Sequence, residues 1–409
     1  MNKPLSEPLL ELDRATVKLA KKVRVLSTLK WPLGTRDRFV TSWERGDPVL
    51  PERAVGPDLS DLARQLRHIA GNAVAEHPAH MLVSNTASSY ARAADLLGAM
   101  GTPDFSEVGR ELYGHPDDSV YPGGASHLET AQHLLAATEG LATAPNNEDR
   151  LSDEHAAEWM REHIAQVFDK DGPVVQIDPE LDALAAAGAI RVRLRGGARF
   201  SPTKLRQLLE HEVYVHSGTK YNGKAQPLGV LAMSSPRTTA TQEGLATLAE
   251  LLTDTMDLRR LRRIALRVVG LAGALDGADL VQTAQIFLDG GQSRNEAAAS
   301  ALRLFRGGDP KGKIVFLKDV VYLAGLLSVE TFLLKAFQTK RHTLPSALFA
   351  GRMTVQDAIA LEPLIQAGVL RHPIVVPRWI SNPSSLAAQL ALSTFHKRRD
   401  LATVRLDQL

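Results

Sequence analysis

Apolar and charged residues recur at helical spacing from Glu7 to Thr28, which predicts an amphipathic helix that Trp31-Pro32-Leu33-Gly34 stops. Gly46 to Pro57 contains Pro48, Pro51 and Gly56 and reads as a loop. Asp58-Leu59-Ser60-Asp61 offers a cap for a helix through Gly71. Further helices are expected at about 82–99, 103–112, 126–142 and 153–168, with breaks such as Pro122-Gly123-Gly124. The pattern changes near Asp171-Gly172. Val174 to Asp178 is a short strand, and Ile190 to Arg195 alternates apolar with arginine, a half-buried strand with one cationic face that Gly196-Gly197 ends. Ser201-Pro202 then opens a helix from Thr203 to His216, with Ser as N-cap and Pro in the first position. Ser217-Gly218 is expected to close it, and Tyr221-Asn222-Gly223 to turn. Gln226 to Met233 is apolar and fits a buried strand or a loop. Thr239 or Thr241 caps the next helix, placing Glu243 in its first turn. Helices dominate again from Leu258. Arg259, Arg260, Arg262, Arg263 and Arg267 read as an exposed basic face opposite Leu258, Leu261, Ile264, Ala265 and Val268. Pro373 to Pro383 is a loop, and a short helix from Ser385 ends the pattern.

The whole predicts a mainly α-helical α+β chain with a small sheet beside the central helices. Three regions are expected: a helical one at 1–150, a central one at 151–340 that holds the strands and the helices after them, and a helical and loop region at 341–409 packed on it.

Composition narrows the chemistry. Of 409 residues, 44% are hydrophobic and 23% charged, with a net charge of +2, so no strong field draws the chain to nucleic acid or membrane. No cysteine is present, so a metal must be held by His, Asp or Glu, and neither a disulfide nor a thiolate nucleophile is available. The absence of cysteine fits a reducing compartment. The start Met1-Asn2-Lys3-Pro4 leads into a charged amphipathic segment, and no run of about 18 apolar residues stands out, so a cytoplasmic location is expected.

The chemistry-bearing stretch is His211-Glu212-Val213-Tyr214-Val215-His216, followed by Gln242-Glu243-Gly244-Leu245-Ala246. Two imidazoles and a later carboxylate are the donor set of a catalytic zinc, three protein ligands with one position left open. Two His five apart lie about 140° round a regular helix from each other. A π-turn holds one extra residue and returns position i+5 over i, so an irregular turn is expected near Val213–Val215. Glu212, directly after the first His, is placed to act as general base. Glu243 is the third ligand, Gly244 permits close backbone approach, and Glu250, seven residues on, is placed to orient a ligand His.

These residues resemble a known family. Phe200-Ser201, His211-Glu212 with His216, Asn222-Gly223, Gln226-Pro227-Leu228 and Gln242-Glu243-Gly244-Leu245-Ala246 are similar to those of gluzincin-like proteins labelled flavohemoglobin expression-modulating QEGLA motif proteins, whose animal members are the microtubule-associated tyrosine carboxypeptidases. The likeness continues through Arg306-Gly307, Lys318-Asp319, Tyr322-Leu323 and Gly325, covering about 170 to 330. It implies a gluzincin-like catalytic region in which zinc is held by His211, His216 and Glu243, with Glu212 as base. The His spacing also resembles that of dipeptidyl peptidase III. Many members carry Gly-Thr where this chain has Tyr214-Val215. The implied reaction is removal of a C-terminal residue from a peptide or protein. Tyr322 is the candidate oxyanion donor, and Arg306 or Lys318 the candidate receptor for the substrate carboxylate. The strand at Ile190 is a candidate for pairing with extended substrate. The alternative from a different class is a regulatory protein that keeps the zinc site without turnover.

Overall fold

A computed structural model describes residues 5–72, 74, 77–141, 150–169, 172–181, 184–187 and 190–396. Helices lead the chain: Glu7–Ala20, Val25–Thr28, Thr35–Glu44, Ser60–Gly71, Pro78–Gly98, Asp104–Tyr113, His127–Ala137 and Asp153–Ala165. Local signals set most of these limits. Ser126 and Glu129 form a reciprocal capping box, Ser152 caps the next helix, and Asp58 accepts from the Ser60 N–H. The helix expected over Glu7 to Thr28 divides in two, because the chain turns after Ala20 and Val23 goes into the core. Gly34, expected only as a stop, also starts a helix. It is the N-cap of Thr35–Glu44 with φ of 75°, a conformation that suits glycine. Ala142 and Asp171, parts of the expected helix and of the expected change in pattern, lie outside the described residues.

Three strands follow: β1 (Val174–Asp178), β2 (Ala185–Ala187) and β3 (Arg191–Arg195). Their order is β1-β3-β2, with β1 parallel and β2 antiparallel to β3. Val192 and Leu194 are buried under the sheet, while Arg191 is exposed and Arg193 pairs with Asp178 at 3.0 Å, as the alternation implies. The pairing expected for Ile190 to Arg195 must be corrected: β3 is the central strand with both edges taken, so it has no ladder to offer a substrate.

The helix that begins at Pro202–Leu208 passes without a break into a π-helix, Leu209–Ser217, and then into an α-helix, Gly218–Lys224. The expected stop at Ser217-Gly218 and turn at Tyr221-Asn222-Gly223 are therefore overturned. The small and polar residues there face the interior instead of solvent. Thr219 Oγ1 donates to Val215 O and to Gln242 Oε1. Asn222 Nδ2 donates to Phe349 O and Val375 O, and its Oδ1 accepts from the N–H groups of Ile374 and Val375. Gly229–Ala232 within the apolar stretch is a 3₁₀ turn, held by Asp13, whose carboxylate accepts from the Gly229 and Val230 N–H groups.

A 3₁₀ turn, Pro236–Thr238, leads into the helix Thr239–Leu252. Glu243 accordingly sits in the second turn rather than the first, because the preceding turn moves the helix start back to Thr239. Helices Leu258–Asp276, Leu280–Asp289, Arg294–Leu304, Val321–Gln338, Leu344–Ala347 and Val355–Gln366 come next. A short helix Arg378–Ser381 lies inside the expected loop, and Pro383–His396 is the last helix. The stretch Leu317–Gln338 is long and apolar enough to cross a membrane by length and composition. It includes Glu330 and Lys335, and its Val321, Leu323, Val329 and Leu333 are buried in the core.

Apolar side chains gather in three clusters. The first joins the leading helices to Leu258–Asp276 and to Phe305, Phe316 and Tyr322. The second holds Leu245 and Leu248 with Phe332, Phe349 and Leu361. The third lies under the sheet around Met160, Val192, Leu194 and Phe200. The π-helix spans two of them, with Val215 in the second and Leu209 and Val213 in the third. Tyr214 packs against the third as well, so the Tyr214-Val215 pair fills space on both sides of the helix.

Candidate metal centre

The π-helix solves the spacing problem in His211 to His216. The π-form covers Leu209–Ser217, wider than the expected single turn, and brings both imidazoles onto one side. Their rings meet edge to face with centroids 5.0 Å apart. Glu243 approaches from helix Thr239–Leu252, with its Oε2 3.7 Å from His211 Nε2 and 4.0 Å from His216 Nε2. One donor atom from each of the three residues lies within 4.8 Å of the others. Donors about 2 Å from a tetrahedral zinc stand roughly 3.3 Å from one another, so a small inward shift would close this set around an ion.

The helix that carries Glu243 is brought close by glycine. A Cβ on Gly244 would stand 2.2 Å from Gly325 O, and one on Gly325 would stand 2.0 Å from Ala240 O. Helices Thr239–Leu252 and Val321–Gln338 therefore cross backbone to backbone beside Glu243, which is the close approach the sequence suggested for Gly244.

Each donor is oriented from behind. His211 Nδ1 donates to Glu250 Oε1 at 2.6 Å, which leaves Nε2 free to face Glu243. Glu250 is fully buried. It also accepts from Gln207 Nε2 at 2.6 Å and from Arg260, whose Nε and Nη2 lie at 3.1 and 3.0 Å. Burial pushes the Glu250 carboxyl up, but the His211 hydrogen bond and Arg260 outweigh it and hold the group down at about 2. Lys318 Nζ donates to Glu243 Oε1 at 3.2 Å, on the oxygen turned away from the two His. Burial again opposes ionisation of Glu243, and Lys318 with the two His overcomes it, to about 2. Burial and the neighbouring His211 depress His216 to about 3, so this ring is a neutral donor at physiological pH. Burial lowers His211 too, but its bond to Glu250 and the nearby carboxylates win, and its affinity for protons rises.

Glu212 faces this group. Burial pushes its carboxyl up, His211 draws it down and Glu243 adds to the rise. The backbone of Ala187, in edge strand β2, works against that rise.

Of the other residues selected from the sequence, Lys318 adjoins the centre, Tyr322 lies beside Lys318 and Arg306 lies beside Arg303. Tyr322 is nearly buried, its hydroxyl 3.5 Å from Arg303 Nη2 and its ring 5.2 Å from Lys318 Nζ. Arg306 Nε donates to Arg303 O, and its guanidinium lies over Phe316. None of its described hydrogen bonds reaches the three donors.

The exposed basic face expected on helix Leu258–Asp276 is a misreading. Of its five arginines only Arg259 is exposed. Arg260 is held by Glu250, Arg262 Nη1 donates to Leu135 O and Thr138 Oγ1, and Arg267 lies 3.7 Å from Asp319. Charge counting along one helix cannot reveal acids that arrive from others. Sequence reasoning also missed Arg352, which donates to His216 O at 2.9 Å and to Ser234 Oγ. No spacing links Arg352 to the His motif, and only the tertiary fold brings it there.

Among known protein families, the model described as microtubule-associated tyrosine carboxypeptidase matches the chain over residues 37–398. No curated protein matches it.

Proposed function

The chain belongs to the microtubule-associated tyrosine carboxypeptidase family, and on that premise we propose that it is a zinc-dependent peptidase that removes the C-terminal residue of a peptide or protein. The family carries tyrosine carboxypeptidase-type activity and a peptide or protein substrate. The convergence of His211, His216 and Glu243 within 4.8 Å carries the zinc assignment. The donor set fits zinc: two imidazoles and one carboxylate without thiolate, with Nε2 of His211 freed by Glu250 and one oxygen of Glu243 freed by Lys318. A bound zinc ion supplies Lewis acidity and lowers the pKa of its water toward 7.

The chain's own residues do the rest. Glu212, half-buried and with its proton affinity raised, takes a proton from the attacking water and returns it to the nitrogen of the leaving residue as the C–N bond breaks. Tyr322 is the candidate donor to the carbonyl oxygen as it gains charge. Lys318 is committed to Glu243, so we assign it to holding the ligand carboxylate rather than to clasping substrate. The two ligand helices with a small sheet against Glu212 support a gluzincin-like arrangement, and a cytoplasmic setting suits a chain without cysteine.

Metal analysis of the purified protein, with mass spectrometry of a C-terminal peptide library, tests this. One zinc per chain and loss of a single C-terminal residue are expected. Glu212→Gln should keep the zinc and lose about 10²–10⁴-fold in rate. A protein without bound metal, or a Glu212→Gln variant as active as the wild type, would refute the reading.

A further inference from the structure

A cavity of about 500 Å³ lies among helices Pro202–Leu208, Leu258–Asp276 and Arg294–Leu304 and the turn Gly290-Gly291-Gln292. Neither Glu212 nor any of the three donors His211, His216 and Glu243 lines it, so it is separate from the candidate metal centre. Its wall carries six cationic side chains, Arg150, Arg199, Lys204, Arg259, Arg262 and Arg263, against two carboxylates, Asp257 and Glu296. Both carboxylates are engaged at helix starts: Asp257 Oδ1 accepts from the Arg260 N–H, and Glu296 Oε2 from the N–H and hydroxyl of Ser293. Of the six cations only Arg259 has a described carboxylate partner, Glu296 at 3.6 Å. Lys204 Nζ donates to Gln207 Oε1, Arg199 Nη2 to Arg150 O, and Arg262 Nη1 to Leu135 O and Thr138 Oγ1, all of them neutral. Among the described residues, the guanidinium groups of Arg150 and Arg263 have no hydrogen-bond or ion-pair partner. Gln292, buried in the same wall, spends its Oε1 on Ser300 Oγ and has no described acceptor for its Nε2.

This wall is rich in donors and short of acceptors, and the charges come from separate segments that converge on one space. Like charges held this close repel one another. Lys204 registers the cost, since burial pushes its ammonium down to about 8 and Arg260 adds to the shift. An anion in the cavity would relieve both the repulsion and the shortage of acceptors. The volume falls within the range of about 300–1,000 Å³ that small molecules occupy. Guanidinium forks match phosphate oxygens bidentately, and a lysine adds a point charge to the same group. We propose that this cavity binds a small anion carrying two or more phosphate groups, with Arg150 and Arg263 among its contacts. The proposal does not depend on the peptidase reading, because it uses none of the residues assigned to that chemistry.

Calorimetric titration of the full chain with inorganic triphosphate tests this. One ion per chain is expected, with an affinity that falls as salt is added. Arg263→Gln should weaken binding about 10-fold, the loss of one charge-assisted contact. Arg150→Gln, at an exposed position, should weaken it in the same direction, and it serves where melting shows that Arg263→Gln does not fold. A parallel titration with adenosine triphosphate tells whether the phosphates stand alone or carry an organic group, and binding of either ion that the variants weaken supports the site. N-acetylated triglutamate should bind at least about 10-fold more weakly than triphosphate, because it lacks the phosphate geometry. Equal affinity for the two would make the cavity a general acid site and overturn the assignment to phosphate. Triphosphate also chelates zinc, so the variants are the control: binding that is unchanged in the folded variants would come from elsewhere and overturns the proposal. Absence of binding to the wild type overturns it as well.

Discussion

His211 Nδ1 lies 2.6 Å from Oε1 of Glu250, a carboxylate that no solvent reaches. The pair fixes which imidazole nitrogen faces Glu243. It also spends Arg260, whose fork closes on the same carboxylate. Replacing Glu250 with Gln keeps the shape and removes the charge. Zinc affinity should fall about 10–100-fold, the usual effect of losing a partner behind a ligand His. Arg260 would then be a buried cation without its anion, and stability should fall by up to about 3–5 kcal/mol. Competition with a chromophoric chelator and urea melts measure the two effects. Unaltered zinc affinity would mean that His211 is aligned without Glu250.

Gly244 adjoins Glu243, the proposed third ligand, and has no room for a methyl group, since a Cβ there would stand 2.2 Å from Gly325 O. The obstacle is backbone, which cannot rotate aside. Gly244→Ala must push helix Thr239–Leu252 away from Val321–Gln338 and carry Glu243 from the two His. A stability loss of about 1–3 kcal/mol is expected from overpacking, with weaker zinc binding in the same variant. Wild-type melting together with wild-type zinc affinity would show that the helices can part without moving the ligand.

Lys204 links this core to pH. Burial pushes its ammonium down to about 8, and Arg260 adds to the shift. In the unfolded chain a lysine titrates near 10.4. Between about 8 and 10.4 the unfolded chain therefore holds a proton that the folded chain has lost, and the Lys204 contribution to stability rises with pH across that window. Below pH 8 both states are protonated, and the cost of burying the charge is fully present. Subtracting the stability of Lys204→Met from that of the wild type at each pH isolates this group. The difference should climb from about pH 8 to 10.4 and be flat at neutral pH. A flat difference throughout would mean that Lys204 is solvated.

The limits of the sequence follow the same physics. The helices that carry His211, His216 and Glu243, the π-turn at Val213–Val215 and the alternating strand at Val192 and Leu194 are legible because spacing along one element decides them. Strand β2 was missed because Ala185, Ala186 and Ala187 have little β preference, and only their pairing with β3 makes them a strand. Ser217 and Gly218 look like a helix end and are interior residues, because the packing of Thr219 and Asn222 overrides the local signal. The arginines of helix Leu258–Asp276 look solvated because Glu250 and Asp319, which hold two of them, lie on other segments. Roles set by partners far along the chain leave no trace in local pattern.

Removing the metal tests the centre as a whole. An ion that binds only the folded chain stabilises it by about 2.7 kcal/mol when its free concentration is 100 times its dissociation constant. A chain of 409 residues has a large unfolding entropy, so this corresponds to a shift of only a few °C. Zinc-loaded wild type should therefore melt a few °C lower once a strong chelator is added, and excess zinc should reverse the loss. In Glu243→Ala two imidazoles remain without the carboxylate that approaches both, and Lys318 loses its acceptor. That variant should melt below the wild type with or without chelator and should barely respond to added zinc. The comparison separates a specific centre from incidental binding elsewhere, since 13 His offer many weak donors. An equal chelator shift in wild type and Glu243→Ala would place the ion away from Glu243. Scanning calorimetry of both proteins, with metal content measured before and after dialysis, decides between the two outcomes.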